Sequence, residues 1–154
     1  MGARIGLIAI DVAVIVGLSI AIGAWAPHWP HAWLATDRFP LTLARRERAH
    51  HYRRLRAGVL AARLPELGHV FGGGSKRTLP GTDAASLDAY LVEVRRAEWV
   101  HVLSCLTPLP LLVFNPWWLW LAFQVAVLAV NAAFLLVLRH NRVRLTQIRR
   151  LRDR

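Results

Sequence analysis

Glu98 and His101 stand three residues apart in a stretch that reads as helix, so both fall on one face, a single turn from each other. A carboxylate at that spacing can orient an imidazole and stabilise its charged form. This is the support a general base needs in order to take a proton from a hydroxyl. The same spacing also serves a satisfied interfacial pair without chemistry, and on spacing alone both readings stay open. An E-x-x-H pair occurs in carboxylate-bridged di-metal sites too, but those need a second copy and further Glu residues on facing helices, and none is expected here. No metal is therefore expected. Cys105, the lone cysteine, lies one turn beyond His101 in an apolar stretch and reads as a small buried hydrophobe.

A second polar set lies on the last apolar segment. Gln124, Asn131, Leu135 and Arg142 project onto one face of a continuous helix. Polar groups at membrane depth either hydrogen-bond to a neighbouring helix or face a functional cavity. His140-Asn141-Arg142-Val143-Arg144 follows where this helix would leave a bilayer, on the side that carries Glu98 and His101, so the two clusters can meet.

The elements that position these residues follow from composition. The 154 residues are 55 % hydrophobic and include seven Trp, yet 20 Lys+Arg stand against 9 Asp+Glu, for a formal charge of +11. Arg4 precedes the first apolar run, twelve Lys/Arg lie between Arg38 and Arg96, and seven lie between Arg139 and Arg154. The charges flank apolar segments and avoid them, which is the signature of a cytoplasmic membrane face and argues against nucleic acid. Residues 5–25 are about long enough to span a hydrocarbon core, at roughly 20 residues per span, and read as a retained anchor in preference to a signal peptide. Asp11 interrupts the run, and Pro27 would follow the cut at Ala24-Trp25-Ala26.

Residues 99–138 read as a helical hairpin turned at Asn115-Pro116, since proline fixes φ and disfavours helix in the residue before it. Pro108 and Pro110 make its first arm short, kinked or re-entrant. The hairpin returns the chain to its starting side, so residues 26–98 and the tail 139–154 share the cytoplasm, with the N-terminus outside. Trp117, Trp118 and Trp120 mark the far interface and Trp25, Trp29 and Trp33 the near one.

Leu41 to Leu64 reads as an incompletely amphipathic helix on anionic headgroups, its arginines snorkelling, and Pro65 and Gly68 end it. Phe71-Gly72-Gly73-Gly74-Ser75-Lys76-Arg77 is a flexible linker or a phosphate cradle, but it lacks P-loop spacing. Thr82 or Asp83 caps a helix from Ala84 whose stripe Leu87, Leu91 and Val94 continues into Glu98, His101 and Cys105. Arg96 points away from that stripe and pairs with Glu93.

Three stretches carry a resemblance: Arg96-Ala97-Glu98-Trp99-Val100-His101, Val113-Phe114-Asn115-Pro116-Trp117-Trp118, and Asn131 with Arg139-His140-Asn141-Arg142-Val143-Arg144-Leu145. Together they resemble the glycosyl-4,4'-diaponeurosporenoate acyltransferase family, over roughly residues 45–150, with Leu64-Pro65 and residues 71–76 similar to its central segment. The resemblance implies a bacterial membrane enzyme that places a fatty acyl chain on a sugar hydroxyl of a glycosylated carotenoid or lipid. It implies catalytic Glu98 and His101, and substrate contacts from Arg95, Arg96, Asn115, Asn131, Arg139, Asn141, Arg142 and Arg144. Gly73, Ser75 and Lys76 would join these from the glycine run. His140 stands where the family usually has Tyr, and Cys105 has no counterpart in its motif.

The sequence thus predicts a single-domain, all-α integral membrane protein with an N-terminal anchor, cytoplasmic basic interfacial helices and a C-terminal transmembrane hairpin. His101 would deprotonate the acceptor, Glu98 would hold the imidazole, and Arg142 or Arg144 with Asn141 would bind the donor or polarise its carbonyl. No cofactor is expected beyond an acyl donor such as acyl-CoA or another acyl carrier. The alternative is a non-enzymatic adaptor that binds anionic lipid or an acidic partner through its arginine-rich surface. Methyl transfer at the membrane is weaker, because no cofactor-binding signature is present.

Overall fold

A computed structural model describes residues 2–44, 47–64 and 83–152. Among these residues every regular element is helical: α1 (Gly2–Trp25), α2 (His31–Leu34), α3 (Ala49–Arg54), α4 (Ala57–Arg63), α5 (Ala84–Ser104) and α6 (Trp117–Arg152), with short 3-10 turns at Ala26–His28 and Leu109–Val113.

α1 and α6 are long and apolar enough to cross a membrane. They also present apolar side chains outward, as a lipid-facing segment does: Ile5 is 62 % exposed on α1, and Trp117 is 71 % and Val125 57 % exposed on α6. Ser19 gives its hydroxyl proton to the Ile15 carbonyl (2.8 Å), so even its polar group is satisfied within the helix. From Trp117 to Leu138, α6 rises about 32 Å at 1.5 Å per residue, close to the thickness of a hydrocarbon core. Its charged residues begin at the end of that stretch.

α5 is not a third span of this kind. Its N-terminus is fixed by Asp83, whose side chain accepts from the Ser86 N–H (2.9 Å). Leu87, Tyr90, Leu91 and Val94 pack with Leu138 and Leu145 of α6 into a core cluster at the end of the apolar stretch of α6 and just past it. The helix ends at Ser104, because Pro108 disfavours helix at Thr107. Thr107 Oγ1 donates to the Ser104 carbonyl (2.8 Å) and Gln124 Nε2 donates to the Cys105 carbonyl (3.0 Å), so two carbonyls at the helix end gain side-chain partners. The first arm of the expected hairpin is therefore the last turns of α5 followed by turns and a 3-10 segment, while the second arm is a full helix.

Two polar contacts tie α1 to this unit. Asp11, fully buried in the first half of α1, accepts a hydrogen bond from Asn115 Nδ2 (2.8 Å) at the turn before α6. At the other end, Trp25, Trp29 and Trp33 form an edge-to-face chain that meets Trp99 of α5, with Trp33 and Trp99 centroids 5.0 Å apart. α1 thus runs alongside the α5 end and the following turns, in the opposite direction.

The single helix expected over Leu41–Leu64 is broken. Residues 41–44 and 47–48 are irregular, and Arg56, at φ 54°, separates α3 from α4. A non-glycine residue in that region ends the helical hydrogen-bond ladder, and the missing apolar stripe left nothing to hold one long helix together. Pro65, Gly68 and the glycine run, including Gly73, Ser75 and Lys76, lie outside the described residues.

Candidate active site

The site forms where the last turns of α5 face the exit of α6. Glu98 and Arg142 form an ion pair across this interface, and neither side chain is exposed. Arg142 also lies 2.6 Å from Asp37, in the irregular segment after α2. Arg95 approaches the same Asp37 oxygen (2.9 Å) while donating to the Leu34 and Ala35 carbonyls (3.3 and 3.0 Å). Burial raises the Asp37 carboxyl, but the Arg142 and Arg95 guanidiniums outweigh it and hold the group below the ordinary carboxylate range.

A second clamp lies one turn back along α6. Arg139 binds both oxygens of Glu47 (2.6 and 3.0 Å) and donates to the Leu41 and Thr42 carbonyls (2.6 and 2.7 Å). Tyr52 of α3 gives its hydroxyl proton to Glu47. Burial raises the Glu47 carboxyl, and its bonds to Arg139, Tyr52 and the Ala44 N–H outweigh that, leaving it below its usual range. Burial, reinforced by the Glu47 contact, pushes the Tyr52 phenol up to about 12. Glu47 and His50 repeat the E-x-x-H spacing, yet Glu47 is committed to Arg139. Among the described residues no group of three or more His, Cys, Asp or Glu side chains is placed to hold a metal ion.

His101 has a different partner from the one its sequence neighbour suggests. Its Nδ1 lies 2.8 Å from Asn131 Oδ1, and its ring stacks on Phe134 (4.6 Å, 10°). Asn131 Nδ2 donates to the Val127 carbonyl (2.9 Å), which assigns the amide oxygen to the ring. Nδ1 therefore carries a proton directed at the Asn131 oxygen. The Glu98 carboxylate, expected to orient this ring, goes to Arg142 instead.

Among the expected residues, Glu98, His101, Asn131, Arg95, Arg139 and Arg142 are brought together at the α5–α6 junction. Asn115 is not among them, because it sits at the opposite end of α6 against Asp11. Arg96 pairs with Glu93 as its spacing suggested, but both side chains are partly buried, so the pair is not the solvated one expected. Asn141 is half-buried and Arg144 exposed beyond the clamps. Reasoning from sequence did not single out Asp37 or Glu47. Their signal was arithmetic: they are isolated acids in an arginine-rich region, and buried cations need counterions.

Between α6 and the side chains of Leu41 and Tyr52 lies an open groove of about 340 Å³. Leu41, Ala132, Leu135 and Leu136 give it apolar walls, while Tyr52, Glu98 and Arg139 supply its polar groups.

A family model described as glycosyl-4,4'-diaponeurosporenoate acyltransferase matches residues 15–151. No curated protein and no solved structure gives a significant match.

Proposed function

From the premise that the chain belongs to the glycosyl-4,4'-diaponeurosporenoate acyltransferase family, we propose that it transfers a fatty acyl chain to a sugar hydroxyl of a glycosylated carotenoid or lipid at a membrane interface. His101 Nε2 takes the hydroxyl proton as the oxygen attacks the carbonyl of the acyl donor. The thiol or other leaving group then departs with a proton returned by the imidazolium. Asn131 fixes the ring tautomer and Phe134 fixes its plane, and the His101–Asn131 contact is the observation that carries the reading.

The ion pairs reassign the arginines. Arg142 and Arg139 pair with Glu98, Asp37 and Glu47, which supports a clamping role in which they hold residues 34–44 and 47–48 against α6. Arg144 and Asn141, beyond these clamps, remain the groups for the donor. The membrane arrangement we propose has α1 and the apolar part of α6 in the bilayer, with the N-terminus outside and the basic segments in the cytoplasm. Trp25, Trp29, Trp33 and Trp99 gather near one boundary of this arrangement, and Trp117 and Trp118 are exposed at the other. The adaptor reading draws on exposed arginines such as Arg53 and Arg54 of α3, and it is the weaker because it gives no role to the His101–Asn131 contact.

Mass spectrometry of host lipids with and without the chain tests the activity. An acyl-glycoside class that appears only with the intact chain is the expected result. Identical lipid profiles, with the glycosylated acceptor and acyl donor both present, would refute it.

A further inference from the structure

His140 lies on α6 just past Leu138 and is only 8 % exposed, and its Nε2 has no hydrogen-bond partner among the described residues. Buried polar groups seldom stay unpaired. Its ring approaches that of Tyr52 on α3, with centroids 6.1 Å apart. Arg144 follows one helical turn on, on the same face of α6, and Arg53 follows Tyr52 on α3. Both arginines are exposed, and among the described residues neither has an ion-pair partner. Burial, and after it the charges of Arg144 and Arg53, hold the His140 imidazole below its ordinary value, so both guanidiniums act on one ring from two different elements. Glu47, which Tyr52 reaches, is taken up by Arg139 and leaves this positive spot uncompensated.

Two guanidiniums that converge without a carboxylate suit an anion with several oxygens, and a phosphate takes such a pair by charge-assisted hydrogen bonds. We infer that Arg53 and Arg144 hold a phosphate group beside the His140 ring, where α3 meets the exit of α6. The arginines of the two clamps do not serve this purpose, since Glu98, Asp37 and Glu47 already neutralise them. A bound phosphate offsets the two cations that oppose protonation of His140, and so favours the charged imidazole. Tyr52 and Arg53 from α3 and Arg144 from α6 are the ionisable groups that act on this ring. His140 is six residues past Phe134, about 9 Å along the helix at 1.5 Å per residue, so the phosphate stands apart from the His101 imidazole. It belongs either to a soluble phosphate ester, such as the arm that carries an acyl thioester, or to a lipid headgroup. Only its identification as part of the acyl donor rests on the acyl-transfer reading; phosphate binding does not.

Isothermal titration calorimetry of the full chain in uncharged maltoside micelles tests this inference, with phosphopantetheine and dioctanoyl phosphatidylglycerol as separate probes. At least one should bind, and the tighter of the two identifies the source of the phosphate. Arg53→Gln and Arg144→Gln should each weaken that binding about tenfold or more, as expected for a lost hydrogen bond between charged groups, with helical circular dichroism unchanged. Arg150→Gln, which removes an exposed arginine further along α6, should leave the binding as it is. Histidine NMR, with the His140 signal assigned from His140→Phe, should show the imidazole titrating at higher pH when the probe is bound. Binding of neither probe, an equal loss with Arg150→Gln, or a His140 signal that the probe does not move would overturn the inference. Because neither probe carries an acyl thioester, these results do not depend on acyl transfer. Acyl transfer by a chain that binds neither probe would remove the phosphate site while sparing the function.

Discussion

Arg142 of α6 and Glu98 of α5 are 44 positions apart in the chain and form an ion pair in which both side chains are fully buried. Such a pair stabilises little relative to an apolar replacement, but breaking it leaves an uncompensated charge. Arg142→Met alone should therefore cost about 3–5 kcal/mol. The Glu98→Leu, Arg142→Met double variant should recover most of that loss, and acyl transfer with it, because the pair holds the α5–α6 junction and neither side chain takes part in the proton transfer. Thermal unfolding and acyl transfer measured on the same preparations check both halves. Recovery of stability without activity would give the pair a role beyond the fold.

Asn131→Leu should leave the fold intact, because Asn131 bonds only to Val127 and His101 among the described contacts. Loss of the fixed tautomer should lower the acyl-transfer rate by about 10²-fold or more, the range attributed to general-base assistance. Asn131→Asp places a carboxylate against the imidazole and favours its charged form, so the acid limb of the pH–rate profile should move to higher pH. An unmoved limb would show that Asn131 does not set the protonation of His101.

The carboxyls of Asp37 and Glu47 lie below their ordinary values of 3.8 and 4.5 in the folded chain. A carboxyl depressed by folding contributes stability that is fully present above its unfolded pKa and is lost as pH falls through the folded one. Docking of Asp37 and Glu47 onto α6 should therefore be constant from neutral pH down to about 5 and weaken below about 4. Asp37→Asn with Glu47→Gln should lower stability at neutral pH and flatten this acid loss. Melting curves across that range, for the native chain and the double variant, decide the matter.

Asn115→Leu should destabilise the chain by about 1–3 kcal/mol, because it leaves the buried Asp11 carboxyl without its hydrogen-bond donor. Adding Asp11→Leu should restore much of the loss. If both single variants melted like the native chain, α1 would not be packed on the turn before α6.

The helices were legible to different degrees, for local reasons. The cap at Asp83 and the stripe Leu87–Leu91–Val94–Glu98 follow from residue periodicity, and each is present, whereas the arm expected to end at Leu138 before a basic tail runs on as one helix to Arg152. The break at Arg56 was not legible, since no glycine or proline marks it and a basic, weakly patterned stretch fits one helix or two. At the site, spacing placed Glu98 and His101 on one face correctly but paired them with each other. Spacing within a helix shows only which side chains are neighbours. It does not show that Arg142 of another helix competes for Glu98 more strongly than an imidazole does, nor that Asn131 comes within reach of the ring. Asp37 and Glu47 act over nearly a hundred residues, a separation that no local pattern encodes.

His101→Gln tests the account most directly. Acyl transfer from a fatty acyl thioester to an alkyl glucoside would be followed with the native and variant chains in nanodiscs, after circular dichroism has shown equal helix content. The native chain should transfer the acyl group and the variant should lose about 10²–10⁴-fold in rate, the contribution of a positioned base. A folded His101→Gln chain that acylates the glucoside at the native rate would contradict it.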